Sequence, residues 1–356
     1  MGWAAPAHTI PLFPLYALLF THTGLSDVRI SALFAIWSTV AVLAEVPLGA
    51  FADRFSRRWS VVASGGCQAA GYALWTALPG FPGFAAGFVL WGVGGALSSG
   101  ALEALLHDGL VAVGEGPAFG RVLARVNAVA LLAQVPAAVL AAVLFRVGGF
   151  PLVGWVSVAT CLVAALIATR LPETPRPQPE SYLAVLRSGL AETVRTPGVG
   201  PVVLLVAALL AVDAFEEYFP LVTRDWGVPV AWAPPATLAI PLAGAAGAAL
   251  GGGRVPLAPV LGGAAVVLGA AGLVGHPAGL AAVALFYGAY QLVLVSAEAR
   301  LQERITGDAR ATVTSVAGLG SEVLSMAVYG AWIAGGVSGV ALLVLVPALF
   351  LSRLRR

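Results

Sequence analysis

Three acids in one apolar stretch, LLAVDAFEEYFPLV, are the side chains best suited to chemistry. Asp213, Glu216 and Glu217 stand at i, i+3 and i+4, a spacing that places them on one face of an α-helix. An ionised carboxylate is costly in apolar surroundings, and three so close together cannot all stay ionised cheaply. The pattern therefore predicts a site that binds a proton or a cation. Pro220 is expected to end this helix, and the alternative for Glu217 is a place at the polar edge of the apolar layer.

Two more acids lie inside apolar stretches. Glu45 falls in AEVPLGA and Glu322 falls in GLGSEVLS. Each is a candidate for carrying a proton or contacting a substrate. The alternative is that each pairs with an arginine such as Arg125 or Arg310, because a buried charge needs a partner.

Composition indicates what kind of element holds these acids. Of the 356 residues, 59% are hydrophobic and 10% are charged, whereas a soluble domain carries about 25% charged residues. One core cannot bury so much apolar surface, so lipid must be the solvent. The net charge of +2 argues against a nucleic-acid partner. Cys67 and Cys161 form neither a disulfide framework nor a metal-binding pattern.

Apolar stretches long enough to cross a membrane fill most of the chain. A bilayer core needs about 20 such residues per helix. The predicted class is therefore an all-α membrane protein with twelve spans in two pseudo-symmetric six-helix bundles. Numbered in chain order, the predicted spans are 7–23, 29–50, 59–79, 83–106, 119–145, 150–170, 199–221, 232–251, 256–275, 278–299, 310–333 and 336–352.

One long loop divides the spans into two groups. We expect an N-terminal six-helix bundle at 1–171, a cytoplasmic linker at 172–198 and a C-terminal six-helix bundle at 199–356. The linker begins with a proline-rich segment, and apolar residues at helical spacing over 181–194 predict a short amphipathic helix on the membrane surface.

The two halves of the chain echo each other. Glu103 matches Glu298, and Arg121 matches Arg310, at nearly the same separation along the sequence. This correspondence suggests a duplicated bundle. We expect Glu103, Arg125 and Glu298 to make contacts between the bundles near the cytoplasmic face. Substrate binding is the alternative for the two glutamates.

The distribution of arginine predicts the orientation. If both termini are cytoplasmic, only Arg29, Arg146 and Arg224 fall on the outer side, and the remaining arginines lie on the inner side. The expected location is therefore the cytoplasmic membrane, crossed many times, with both termini inside.

The turn between spans 2 and 3 reads GAFADRFSRR. It resembles the conserved loop between the second and third helices of the major facilitator superfamily, although Ser56 replaces the family's second glycine. The resemblance implies the twelve-helix fold of that family and a gating role for the matching residues, which are Gly49, Asp53, Arg54, Arg57 and Arg58.

The gating role has a physical reason. Gly49 allows two helices to pack closely at the cytoplasmic end. The Asp53 carboxylate can accept hydrogen bonds from a helix N-terminus, where the helix dipole favours an anion. Span 11 begins near Arg310 in the other half, so it is the expected partner. Such a contact closes the inner side and breaks when the protein opens inward. The alternative is an arginine cluster that only sets the orientation.

The resemblance implies a secondary active transporter for a small molecule, working by alternating access. We expect proton coupling, since several acids lie in spans and no ATP-binding loop is present. We also expect a monomer without a cofactor, and export is one direction of transport that we consider. Span 4 lacks the arginine that many proton-coupled members of the family carry. Span 5 lacks the Gly-Pro signature that is typical of the family's drug-proton antiporters. A uniporter, a membrane-embedded enzyme and a non-transporting sensor are the alternatives.

Overall fold

The structure is a computed structural model that describes residues 3–173, 199–252, 255–304 and 310–353. Helices make up nearly all of these residues, and no strand occurs among them. Eight stretches within this part are long and apolar enough to cross a membrane. The predicted all-α membrane class is confirmed.

Contacts divide the chain into two compact units, Met1–Tyr182 and Leu183–Arg356. Residues 174–198 of the predicted linker lie outside the described residues. The amphipathic helix at 181–194 therefore stays a prediction.

The first unit contains seven helices among the described residues. They are α1 (Ala4–His8), α2 (Tyr16–His22), α3 (Asp27–Arg54), α4 (Arg57–Ala77), α5 (Phe81–Ser98), α6 (Ala101–Ala112) and α7 (Phe119–Ala168), with short 3-10 turns at Phe13–Leu15 and Gly116–Ala118. Predicted span 4 is divided into α5 and α6 because Gly100 takes a left-handed conformation, with φ of 66°.

The described helices of the second unit are α8 (Val199–Ala211), α9 (Phe219–Asp225), α10 (Ala233–Thr237), α11 (Ala239–Ala249), α12 (Leu257–Val274), α13 (Leu280–Arg304) and α14 (Arg310–Arg353). Three 3-10 segments accompany them, at Val212–Tyr218, Val230–Trp232 and Pro277–Gly279. The first of these 3-10 segments carries the three acids.

A pair of glycines forms the same corner in both units. Within α7, Gly149 has φ of 60° and ψ of −160°, and within α14, Gly336 has φ of 54° and ψ of −137°. Residues that have a Cβ atom rarely adopt a positive φ of this kind, so glycine is the residue that fits here readily. These corners fall between predicted spans 5 and 6 and between predicted spans 11 and 12.

Aromatic side chains fill the core of the first unit. Tyr16, Phe20, Trp75 and Phe88 are all at most 3% exposed and contact one another edge-on or at a tilt. The Trp75 indole donates a hydrogen bond of 3.0 Å to the carbonyl oxygen of Phe84. This core fixes α2, α4 and α5 to one another, and its indole N–H is satisfied despite full burial.

The second unit depends on close helix contact as well as on aromatic packing. A Cβ atom on Gly247 of α11 would collide with the carbonyl of Gly288 in α13. Glycines at such positions let two helix backbones approach closely in a membrane. The contact holds α13, which carries the tyrosines of the site described next.

Candidate functional site

The helix that carries the three acids changes type where they begin. Residues Val199–Ala211 are α-helical, Val212–Tyr218 form a 3-10 helix, and Phe219–Asp225 are α-helical again. The expectation that Pro220 ends the helix is wrong. It stands in the first turn of α9, where its missing N–H costs nothing and its fixed φ suits a helix start.

The change of type separates the acids that were expected to share one face. A 3-10 helix has three residues per turn, so i and i+3 are aligned while i+4 is rotated by about a third of a turn. Asp213 and Glu216 accordingly meet the same partner, Tyr287 of α13. Glu217 instead interacts electrostatically with Glu322 of α14. The single face predicted for all three acids is therefore corrected to a pair and a separate glutamate.

Tyr287 links the two paired carboxyl groups. Its hydroxyl lies 2.7 Å from Asp213 Oδ1 and 3.2 Å from Glu216 Oε2. The Gln291 amide donates a further hydrogen bond of 3.2 Å to Asp213 Oδ1. The Tyr287 ring is buried, whereas the Asp213 side chain is exposed and Glu216 is half-buried. Asp213 is thus the most exposed member of the group.

A second tyrosine fixes the segment from behind. Tyr290 is fully buried and donates a hydrogen bond of 2.9 Å to the carbonyl oxygen of Leu209, near the transition from α-helix to 3-10 helix. A tyrosine hydroxyl in an apolar interior needs a partner, and this carbonyl provides it. Tyr287, Tyr290 and Gln291 follow one another at i, i+3 and i+4, so one face of α13 serves the whole segment.

The GAFADRFSRR turn forms the second candidate site, at the junction of α3 and α4. Ser56 is the N-cap of α4, and its hydroxyl accepts a hydrogen bond of 3.0 Å from the Trp59 N–H. The same hydroxyl donates to Glu173 Oε2 at 2.6 Å, and the Arg57 N–H donates to Glu173 Oε1 at 2.9 Å. The Glu173 carboxylate thus lies at a helix N-terminus, where the dipole stabilises an anion.

Arg57 also binds a second carboxylate. Its Nη1 atom lies 2.7 Å from Asp108 Oδ2, and the two side chains are 16% and 30% exposed. Asp108 belongs to α6, so this ion pair joins α4 to α6 in the first unit. An apolar cluster lies alongside, made of Ala52, Val61, Ala101, Leu105 and Ala168.

The other residues of the turn are less constrained. The Arg58 Nε atom lies 3.9 Å from Glu173 Oε2. Arg54 is exposed, with its guanidinium 5.9 Å from the Phe55 ring centre. Gly49 lies within α3, and the side chains of Asp53 and Arg310 are outside the described set. The contact expected between Asp53 and the start of predicted span 11 stays a prediction.

The remaining candidates are dispersed. Ser99 donates a hydrogen bond of 2.6 Å to Glu45 Oε1, and in the described part of the chain Glu45 forms no ion pair with Arg125. The pairing of Glu45 with Arg310, whose side chain is outside the described set, stays a prediction. Glu103 and Arg125 are exposed and Glu298 is half-buried. Their role between bundles stays a prediction.

Two carboxylates that contact the turn, Asp108 and Glu173, were not predicted from the sequence as its partners. Glu173 stands in LPETPRP, three residues beyond the predicted end of span 6 at 170, and Asp108 stands in ALLHDGL, two residues beyond the predicted end of span 4 at 106. An acid just beyond the end of a predicted span, on the same predicted side of the membrane as an arginine cluster, is the sequence signal for such a contact. Tyr287 was also missed, although its spacing from Tyr290 and Gln291 marks a polar face on an otherwise apolar helix.

Comparison with solved structures identifies the fold. No curated protein matches the sequence. Solved structures with the same fold include the nucleoside transporter NupG, with 12% identity over 99% of this chain and 96% of that chain and a TM-score of 0.74. A D-xylose-proton symporter has 15% identity over 98% and 94% and a TM-score of 0.73. A bacterial homologue of the human lysosomal transporter Spinster has 13% identity over 99% and 92% and a TM-score of 0.75.

The sequence itself carries the family assignment. The family profile of the Major Facilitator Superfamily matches residues 2–330, which is most of the chain. The solved structures above are membrane transporters whose fold covers nearly all of it. This protein is therefore a multi-pass membrane transporter for a small molecule, and it belongs to the Major Facilitator Superfamily.

Proposed function

We propose that this transporter is a proton-coupled secondary active transporter that works by alternating access in the cytoplasmic membrane. The observation that carries the proposal is the shared contact of Asp213 and Glu216 with the Tyr287 hydroxyl. Carboxyl groups inside a membrane span are energetically costly, and they usually mark a functional site. A pair of them on one tyrosine is suited to hold and release a proton.

Counting protons supports this assignment. A tyrosine hydroxyl has one proton, so it can donate to only one of the two carboxyl groups at a time. The distances of 2.7 Å to Asp213 and 3.2 Å to Glu216 favour donation to Asp213. The contact with Glu216 is then satisfied when Glu216 carries a proton and donates it to the Tyr287 oxygen. Both hydrogen bonds of the Tyr287 hydroxyl are therefore satisfied when Asp213 and Glu216 together carry one bound proton.

Exposure indicates how the proton exchanges. Asp213 is exposed and also accepts from the Gln291 amide, whereas Glu216 is half-buried behind it. A proton reaches Asp213 first. It passes on when the protonated Asp213 gives its proton to the Tyr287 oxygen while the Tyr287 hydroxyl gives its own proton to Glu216. A cationic group of the substrate would bind Asp213 in place of the proton. Competition between proton and substrate for this pair is a simple basis for coupling. Glu217 and Glu322 form a second candidate group in the same unit.

The GAFADRFSRR turn supplies the proposed gate. Ser56 and Arg57 are held by Glu173 and Asp108 inside the first unit. This arrangement fixes the start of α4, which follows closely on the last turn of α3, where Asp53 stands. We propose that Asp53, with Arg54 and Arg58 beside it, closes the cytoplasmic side against the helix that begins at Arg310, and that this contact opens in the inward-facing state.

The experiment begins with purified protein in lipid vesicles. Ligands are first found by thermal stabilisation, since a ligand that binds only the folded state raises apparent stability. The ligand that is found is then supplied to vesicles with and without an imposed pH gradient. Accumulation above the outside concentration only with the gradient is the expected result. The gradient orientation that drives it distinguishes import from export.

Two outcomes would replace the proposal. Equilibration of the ligand that ignores the pH gradient would indicate a uniporter. Binding without any flux, in vesicles where a known proton-coupled carrier is active, would indicate a sensor on a transporter fold.

A further inference from the structure

A cavity in the first unit lies apart from both candidate sites. Its volume is about 400 Å³. Three segments line it: the end of α2 with His22 and Thr23, the end of α4 with Thr76, and the corner of α7 at Gly149. In the predicted orientation all three segments lie on the outer side of the membrane. The residues that line it include neither the acids of the second unit nor any described residue of the GAFADRFSRR turn.

Aromatic rings form part of the cavity wall. The turn at Gly149 brings Phe150 against Phe145, with ring centres 4.9 Å apart and the planes at 71°. The His22 imidazole also contacts Phe150, with ring centres 5.3 Å apart. Trp75 completes the set of aromatic lining residues, and its indole N–H is already used inside the core. Such rings favour an aromatic ligand, which can pack edge-on or in an offset stack.

Two threonine hydroxyls give the cavity a directional polar side. Thr23 donates its hydroxyl hydrogen to the carbonyl oxygen of Phe20 at 2.8 Å, and Thr76 donates to that of Tyr72 at 2.7 Å. Each hydroxyl has one hydrogen, which its own helix uses, so the oxygen can offer a ligand only its lone pairs. The threonines therefore select a ligand that carries an N–H or O–H donor.

The shape of the cavity favours a compact ligand over a lipid chain. Its lining residues fall within 19–23 at the end of α2 and within 75–79 at the end of α4. Five residues of helix are about 7 Å long. An extended acyl chain crosses half of the hydrocarbon core, which is about 15 Å. The volume, in contrast, lies in the range of roughly 300–1,000 Å³ that small-molecule sites have.

The charge of the lining limits the ligand further. Among the described lining residues there is no aspartate, glutamate or arginine, and His22 is the one titratable side chain. A charged molecule would lack an opposite charge in these mostly apolar surroundings, which is costly. The ligand is therefore uncharged, unlike the cation or proton that suits Asp213.

We propose that this cavity binds a small uncharged aromatic molecule that carries one N–H or O–H donor. Its ring packs against Phe145 and Phe150, and its donor group bonds to the hydroxyl oxygen of Thr23 or Thr76. The bound molecule joins the ends of α2 and α4 to the corner of α7, and so stabilises the first unit. This site is independent of the proposed proton coupling, because no residue of the second unit takes part.

The test uses a fluorinated indole, a compact ring with one N–H donor, as the probe. Fluorine NMR follows its titration into purified full-length protein in lipid nanodiscs, and empty nanodiscs measure partition into lipid. We expect saturable binding and a higher midpoint of thermal unfolding, since the ligand binds the folded state. The N-methyl derivative of the same indole lacks the donor. It should bind about two- to tenfold more weakly, as expected for the loss of one hydrogen bond.

Variants locate the probe. Thr23→Phe fills the cavity, so it should abolish saturable binding, and its unfolding midpoint without probe shows whether the fold is retained. Thr23→Val combined with Thr76→Val removes both acceptor oxygens with little change of shape. In that variant the indole and its N-methyl derivative should bind equally. Thr21→Val is the matched control, because Thr21 donates to the Leu18 carbonyl in the same way but does not line the cavity.

Three results would overturn the proposal. The first is no saturable binding beyond that of empty nanodiscs. The second is a folded Thr23→Phe variant, or the valine pair, that binds both probes as wild type does. The third is displacement of the indole by an equal concentration of oleate, which would assign the cavity to an acyl chain. Asp213→Asn should leave the affinity unchanged, so failure here is separate from failure of the proposed transport mechanism.

Discussion

The Tyr287 hydroxyl lies 2.7 Å from Asp213 Oδ1 and joins α13 to the 3-10 segment Val212–Tyr218. The two residues are far apart in sequence, yet they form the polar centre of the second unit. The same hydroxyl lies 3.2 Å from Glu216 Oε2. The proposed coupling mechanism depends on this three-residue group.

Removal of the Tyr287 hydroxyl should damage coupling more than folding. Tyr287→Phe deletes a hydrogen bond to a charged group, worth about 1.5–3 kcal/mol, and disconnects Asp213 from Glu216. We expect pH-driven accumulation to fall by roughly tenfold or more, since about 1.4 kcal/mol already corresponds to a factor of ten. Tyr290→Phe is the control, because its hydroxyl serves only the Leu209 carbonyl. Equal loss of coupling in both variants would show that Tyr287 acts by packing.

The Ser56 hydroxyl should matter for the stability of the first unit. It caps α4 and donates to Glu173, and loss of an N-cap costs about 0.5–2 kcal/mol. Ser56→Ala should therefore lower the midpoint of thermal unfolding in detergent, whereas Ser56→Asn, which retains a capping oxygen, should lower it less. Identical midpoints for wild type and Ser56→Ala would contradict the capping role.

Gly336 should not tolerate a side chain. Its φ of 54° and ψ of −137° belong to a region that costs other residues about 1–3 kcal/mol. Gly336→Ala should lower the unfolding midpoint and the yield of folded protein. Gly335→Ala is the matched control, since Gly335 has φ of −163° and an added Cβ atom there would meet open space. A control as unstable as Gly336→Ala would refute the conformational explanation.

Asp53 should control the balance between inward-open and outward-open states. On the proposed gate, Asp53→Ala removes the anion that faces the helix starting at Arg310. We expect label distances across the cytoplasmic face to shift toward longer values. Glu115→Ala, an exposed acid in the connection between α6 and α7, is the control. Unchanged distances in Asp53→Ala would contradict the gate, and the arginines of the turn would then serve only to set the orientation of the protein in the membrane.

The sequence predicted the class of fold because hydropathy reports directly on lipid burial. It also predicted the family, through the spacing of Gly49, Asp53 and the arginines. Hydropathy is blind to helix type, so the 3-10 turn that separates Glu217 from Asp213 was not predicted. Glu173 was missed because its partners lie more than a hundred residues earlier, with a separation of 117 residues from Ser56. Local spacing cannot reveal such a contact.

Proton coupling in the Asp213→Asn variant tests the central claim most directly. Substrate-driven proton movement is followed with a pH-sensitive dye inside vesicles for this variant, for wild type and for the control Asp225→Asn. Asp225 is an acid at the end of α9 that pairs with Arg224. The account predicts that Asp213→Asn abolishes proton movement and that Asp225→Asn retains it. Wild-type proton movement in Asp213→Asn would contradict the account.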